Sequence, residues 1–278
     1  MADPGSQPTN TGGGAYGQAV PEPKPRGPAR RKRRAGRGST LLTSFELLRA
    51  HLYLDGWAAR VTFTLAGRRR VPVRLHVLRA ADRERVATID LGMRGAGAHS
   101  VAFTGTEGGP LPEGRYLLHL TGRGLRRGAT ASSTATLEFS HHRFPIAGSF
   151  DWGGPDARFG AKRDGHRHQG QDLSAALGTP VVAPRGGLAE TVGYQAGGAG
   201  HYVVLDGDDE DYDYVFMHLR RGSITVKSGE RVRTGQPIGA VGSTGRSTGP
   251  HLHFEIWVGG WFAGGKPIDP LPLLQAWS

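Results

Sequence analysis

The sequence predicts a mainly β protein of two domains behind a basic tail, and three observations carry that prediction. Glycine occurs 45 times and proline 18 times in 278 residues, which suits short strands and tight turns better than long helices. Short runs of alternating apolar and polar residues recur from about residue 45 onward, separated by Gly, Asp and Pro clusters. Histidine is unevenly placed, with eight of the twelve at or beyond position 141. The first domain is accordingly set at 43–140 and the second at 141–278.

Residues 1–42 precede both. The stretch PEPKPRGPARRKRRAGRG has no hydrophobic periodicity and cannot bury enough apolar surface to offset chain entropy, so the segment reads as a disordered tail or linker. Its first 40 residues hold eight Lys/Arg against Asp3 and Glu22, more than half of the formal net charge of +11. Such a segment attracts anionic wall polymers, an anionic membrane surface or nucleic acid. Nucleic acid is not expected, because aromatic residues for stacking on bases are not interleaved with the charges. No run approaches the roughly 18 apolar residues of a membrane span, and no signal-peptide core is visible.

In the first domain the runs ARVTFTLA, VPVRLHVLR, RVATIDL, HSVAFTG, RYLLHLT and TATLEF have the length and spacing of a β-sandwich. The stretch GGPLPEGRYLLHLTG (Gly108 to Gly122) resembles the penultimate hairpin of the immunoglobulin-like module of flagellar hook-capping proteins. That resemblance implies an immunoglobulin-like sandwich acting as a spacer or binding module. His51, His76, His99 and His119 lack ligand spacing and are assigned to the surface or to sheet faces.

The second domain reads as strands TPVVAP, LAETVGYQ, HYVVLDG, YDYVFMHL, GQPIGAVG and HLHFEIWV, with little that looks helical. Alternation in HLHFEIW puts His251 and His253 on one face while Leu252, Phe254 and Ile256 enter the core. The segment HQGQD supplies His168 and Asp172 four residues apart, with Gly170 arguing for a bent backbone over a helix. The same alternation puts His218 on one face with Tyr214 and Phe216. Without any Cys, a metal must be held by imidazole and carboxylate, and two His with one carboxylate leave a fourth tetrahedral position open for catalysis. His166 is expected at the rim and His201 at the cleft edge. The acidic run Asp206 to Asp213 lacks the Gly and Glu of a calcium loop and reads as a solvated hairpin tip.

Three separated motifs then occur in order: FGAKRDGHRHQGQDLSAALGTPVVAP, YVFMHL and GQPIGAVGSTGRSTGPHLHFEIW, followed by PIDP. Over roughly residues 144 to 273 they resemble the lysostaphin/LytM-type zinc metallopeptidases, which cut peptide bonds in bacterial peptidoglycan. The resemblance implies an antiparallel β-sheet peptidase domain holding one Zn2+ through His168, Asp172 and His253, with His218 and His251 as catalytic histidines. It leaves open which of the two is the general base, with His251 the candidate and His218 set to hold or protonate the oxyanion or leaving amine. The implied substrate places the protein outside the cell or at the wall, acting as a monomer on cross-links or stem peptides. The rival reading is a non-catalytic wall-binding protein or activator of other wall hydrolases, against which the intact five-residue set argues. A second rival makes the tail the working part, as an anionic-lipid or nucleic-acid binder.

Overall fold

The structure is a computed structural model that describes residues 39–107 and 109–278; the expected disorder of the tail falls outside these residues up to position 38. Residues Gly38–Ser278 form one compact unit. Its first nine strands are β1 Thr40–Leu48, β2 His51–Tyr53, β3 Ala59–Ala66, β4 Val71–Arg79, β5 Arg85–Arg94, β6 Gly97–Phe103, β7 Gly114–Thr121, β8 Leu125–Arg127 and β9 Thr134–Ser140. They make two sheets, β6-β3-β1-β8 and β2-β9-β7-β4-β5. The apolar positions of the alternating runs face inward from both sheets, and Phe63, Leu75, Leu118, Leu137 and Phe139 meet in one core.

The boundary set at residue 43 is three residues late. Strand β1 begins at Thr40, and Thr40 and Leu42 are buried. A register shift between Leu42 and Ser44 in the pairing with β3 breaks the period of two, which hides this strand from a reading based on alternation.

The remaining strands are β10 Phe150–Asp151, β11 Lys162–Arg163, β12 His166–Arg167, β13 Gln171–Ala175, β14 Pro180–Val182, β15 Gly187–Gln195, β16 Gly200–Gly207, β17 Tyr212–Leu219, β18 Glu230–Val232, β19 Pro237–Ala240, β20 His251–Val258 and β21 Lys266–Ile268. Eight of them form one sheet in the order β10-β13-β20-β17-β16-β15-β18, with β21 on β20. One face of this sheet carries Leu252, Phe254, Ile256, Tyr214 and Phe216 into a second core. The β14–β19 ribbon adds Val181 and Ile238 to that core. A short helix, α1 Leu271–Trp277, which the sequence reading did not anticipate, adds Leu274. Covering one face leaves the opposite face open, and the polar members of β13, β17 and β20 lie there. No helix among the described residues is long and apolar enough to cross a membrane.

The acidic run forms the tip of the β16–β17 hairpin, with Asp209 and Asp211 exposed, but its last member is drawn inward. Asp213 is buried and its Oδ2 accepts the backbone N–H of Trp261 at 2.6 Å. The sandwich meets the second domain through Asp55, 3.5 Å from the buried Arg185, and through Leu54, whose carbonyl accepts from Thr234.

Candidate metal centre

Antiparallel pairing of β13 with β20 sets Asp172 directly opposite His253 and Ser174 opposite His251. Side chains of directly opposed residues share a face, so the ladder itself brings a carboxylate against an imidazole. His168 lies just before β13. Gly170, between His168 and Asp172, is required by a close approach. A Cβ there would sit 2.4 Å from the Phe254 carbonyl oxygen, 2.9 Å from Glu255 Cγ and 3.0 Å from His253 Nε2.

Three atoms converge as a result. His168 Nε2 lies 3.1 Å from Asp172 Oδ1, His253 Nδ1 lies 2.8 Å from the same oxygen, and the two nitrogens are 3.0 Å apart. Hydrogen bonds on the far side of each ring fix which nitrogen faces the cluster. His168 donates Nδ1–H to the Arg158 carbonyl at 2.8 Å, and His253 donates Nε2–H to Glu255 Oε1 at 2.8 Å. Glu255 is in turn held by Trp257 Nε1–H on Oε2 at 2.6 Å. Two imidazole nitrogens and a carboxylate oxygen therefore point at one place.

These residues fit a divalent cation. Tetrahedral donors about 2.0–2.1 Å from a shared ion lie about 3.3 Å from one another, and the sides of this triangle, 2.8 to 3.1 Å, come within about half an ångström of that spacing. His168, Asp172 and His253 form the metal-capable cluster found among the described residues. Ring N–H groups held by a carboxylate or carbonyl are the usual support for imidazole ligands.

Electrostatics follow from the same contacts. Burial alone would raise the Asp172 carboxyl, but hydrogen bonds from His168 and His253 outweigh it and hold the group well below the ordinary carboxylate range. Burial alone would lower His253; bridging Asp172 and Glu255 instead raises it to about 9. Burial is also the main cause for His218, aided by His251 and His253, and pulls it down to about 4. His218 is therefore neutral at pH 7.

His218 reaches this site by a route the alternation does not give. Tyr214 and Phe216 are fully buried in the core, so the expectation that His218 shares their face is wrong. His218 has φ +61°, a left-handed conformation that costs a residue with a side chain roughly 1–2 kcal/mol. The β16–β17 register slips between His201 and Val203. The consecutive residues Met217 and His218 consequently both line the cleft. The ring of His218 lies 4.8 Å from that of His251 and 5.9 Å from that of His253.

Both of these histidines are tethered through Nδ1, His218 to the Thr244 carbonyl and His251 to the Gly249 carbonyl, each at 2.8 Å. Each therefore presents a bare Nε2, and that of His251 lies 3.7 Å from Asp172 Oδ1. The five residues line a cleft of about 1050 Å³. Its walls are the Gly153–Ala157 segment with the β11–β12 hairpin on one side and the Gly245–Pro250 loop on the other. Arg246 and Asp164 approach to 3.9 Å between these walls. No described residue of the sandwich lines the cleft. His166 is an exposed lining residue, whereas His201, expected at the cleft edge, packs its ring 4.5 Å from Tyr194 and is not among the lining residues.

Residues 166–270 match the description of Peptidase family M23. The match places a Peptidase family M23 domain at residues 166–270, less than half of the chain. The M23 domain is 50% identical over 104 residues to an uncharacterized metalloprotease of Haemophilus influenzae, a match spanning 37% of this chain and 20% of that protein. It is 38% identical over 113 residues to glycyl-glycine endopeptidase ALE-1 of Staphylococcus capitis, spanning 41% of this chain and 30% of that protein. The chain thus spans less than a third of these curated relatives. Among solved structures, the catalytic domain of lysostaphin from Staphylococcus simulans is 36% identical, with 42% of this chain and 89% of that chain covered and a TM-score of 0.39.

Two contacts of the M23 domain's site went unread in the sequence. Glu255 could have been found, since it follows His251 and His253 at the same spacing on one strand face. Arg163, whose Nη2 donates to Asp172 Oδ2 at 2.9 Å, comes from a separate hairpin and left no signal.

Proposed function

We propose that the M23 domain is a zinc-dependent endopeptidase hydrolysing a peptide bond in the cross-links or stem peptides of bacterial peptidoglycan. The observation that carries this reading is the convergence of three potential ligand atoms, His168 Nε2, Asp172 Oδ1 and His253 Nδ1, beside two further histidines with free Nε2 atoms in an open cleft. The names of relatives support the substrate: a peptidoglycan DD-endopeptidase of Vibrio cholerae and the glycyl-glycine endopeptidase are both similar to this domain.

His168, Asp172 and His253 would hold the ion. Zinc so held supplies a Lewis acid that polarises a scissile carbonyl and acidifies water towards neutral pH. His251 is the general base: its Nδ1–H is anchored on Gly249, which leaves Nε2 to accept the proton of the attacking water. His218 serves the leaving amine. The tether to Thr244 aims its Nε2 into the cleft, and because the ring is neutral at pH 7 it acts there as a relay, passing to the amine the proton released by the attacking water. All five residues come from one chain, so a monomer suffices. That substrate implies a location at the wall, and the basic segment Lys24 to Arg37 carries charge that would attract anionic wall polymers or lipid headgroups.

The test is release of new amino termini from purified peptidoglycan by the full chain, with zinc and then with a chelator. The reading requires release that chelation abolishes and zinc restores. Release insensitive to chelation, or none from fully zinc-loaded protein, contradicts it, and the latter outcome favours a wall-binding or activator role.

A further inference from the structure

Arg163 touches the candidate metal centre from outside the five residues assigned to the reaction. The two oxygens of Asp172 have separate partners. Oδ1 faces His168 Nε2 and His253 Nδ1, while Oδ2 accepts Nη2–H of Arg163 at 2.9 Å. The guanidinium is placed by the β11–β12 hairpin, where Arg163 pairs with His166. That hairpin runs directly into the first histidine of the cluster. His168 donates its backbone N–H to Ala161 at 2.9 Å, and Gly160 donates to the His168 carbonyl at 2.8 Å. One short segment therefore sets both His168 and the group that grips Asp172.

A carboxylate can bind a cation through one oxygen or through both. Binding through both would fill the coordination position that a catalytic site keeps open for water and substrate. A charge-assisted N–H on Oδ2 makes that oxygen a poor second donor. The Arg163 side chain is 28% exposed and that of Asp172 20%, so the pair is partly shielded from water and Oδ2 would be left short of a donor without it. Its consequence lies in the direction it gives the carboxylate.

We propose that Arg163 is a positioning residue that restricts Asp172 to binding the metal through Oδ1 alone; this rests on the zinc reading above.

The experiment replaces zinc with cobalt(II) in the full chain and records the visible spectrum, whose intensity falls when coordination rises from four to five. Wild type, Arg163→Ala and Arg163→Lys are compared, with thermal melts to verify folding and competition with a chromogenic chelator for affinity. Arg163→Ala should bind one cobalt per chain with a weakened band, and added guanidinium ion should restore the band. Its kcat should fall at least tenfold with KM nearly unchanged. Arg163→Lys, which keeps the charge without the planar fork, should give an intermediate intensity and serves if the alanine variant does not fold. A cobalt spectrum identical to wild type in a folded Arg163 variant overturns the proposal. Failure of wild type to bind one cobalt is a different result, and it overturns the zinc reading on which the proposal rests.

Discussion

Glu255 accepts the Nε2–H of His253 at 2.8 Å, and that contact decides which nitrogen of His253 faces Asp172. Removing the carboxylate charge while keeping the shape, in Glu255→Gln, leaves the ring free to turn and less basic. Metal affinity should fall by about 10–100-fold, measured by chelator competition, with the fold retained. Unchanged affinity would mean that Glu255 only fills space.

His251 and His253 alternate along one strand but have different partners. His251→Ala should keep one metal per chain and lose about 10²–10⁴-fold in turnover. His253→Ala should lose the metal itself. Metal content by elemental analysis beside turnover separates the two, and equal metal loss in both variants would refute the division of labour.

Proton and metal compete for His253 Nδ1. In the metal-free protein its pKa is raised to about 9, above the ordinary value near 6.5. Its contribution to stability is therefore fully present below about pH 6.5 and is lost as pH rises through about 9. Thermal melts of metal-free protein should fall across that window, and His253→Gln should flatten the slope. Across the same window metal affinity should rise with pH by up to about tenfold per unit as one proton is displaced.

Gly170 has no room for a methyl group, since a Cβ would stand 2.4 Å from the Phe254 carbonyl oxygen. Gly170→Ala should cost at least about 1–3 kcal/mol, the usual range for overpacking, and should lower metal content by pushing β13 from β20. A melt and metal content equal to wild type would show that the ladder yields there.

Much of the site is legible because its logic is local. Alternation alone separates His251 and His253 from Leu252, Phe254 and Ile256, and the strand YDYVFMHL is found at its full length, Tyr212–Leu219. What fails to read is what breaks the period. A register shift hides the start of β1 at Thr40, and a left-handed φ turns His218 away from the face of Tyr214 and Phe216. Arg163 reaches Asp172 only through tertiary structure, from a hairpin of its own. Glu255 stood in view at the right spacing, but its meaning depends on which nitrogen of His253 it holds.

The most direct measurement is the mass of the products when a defined cross-linked muropeptide dimer is digested by the zinc-loaded chain. The account predicts two fragments whose masses together equal the dimer plus one water, split at a peptide bond, with none from the chelated protein or from zinc-loaded His251→Ala. An intact dimer after digestion by fully loaded wild type, or a cut in the glycan, would contradict it.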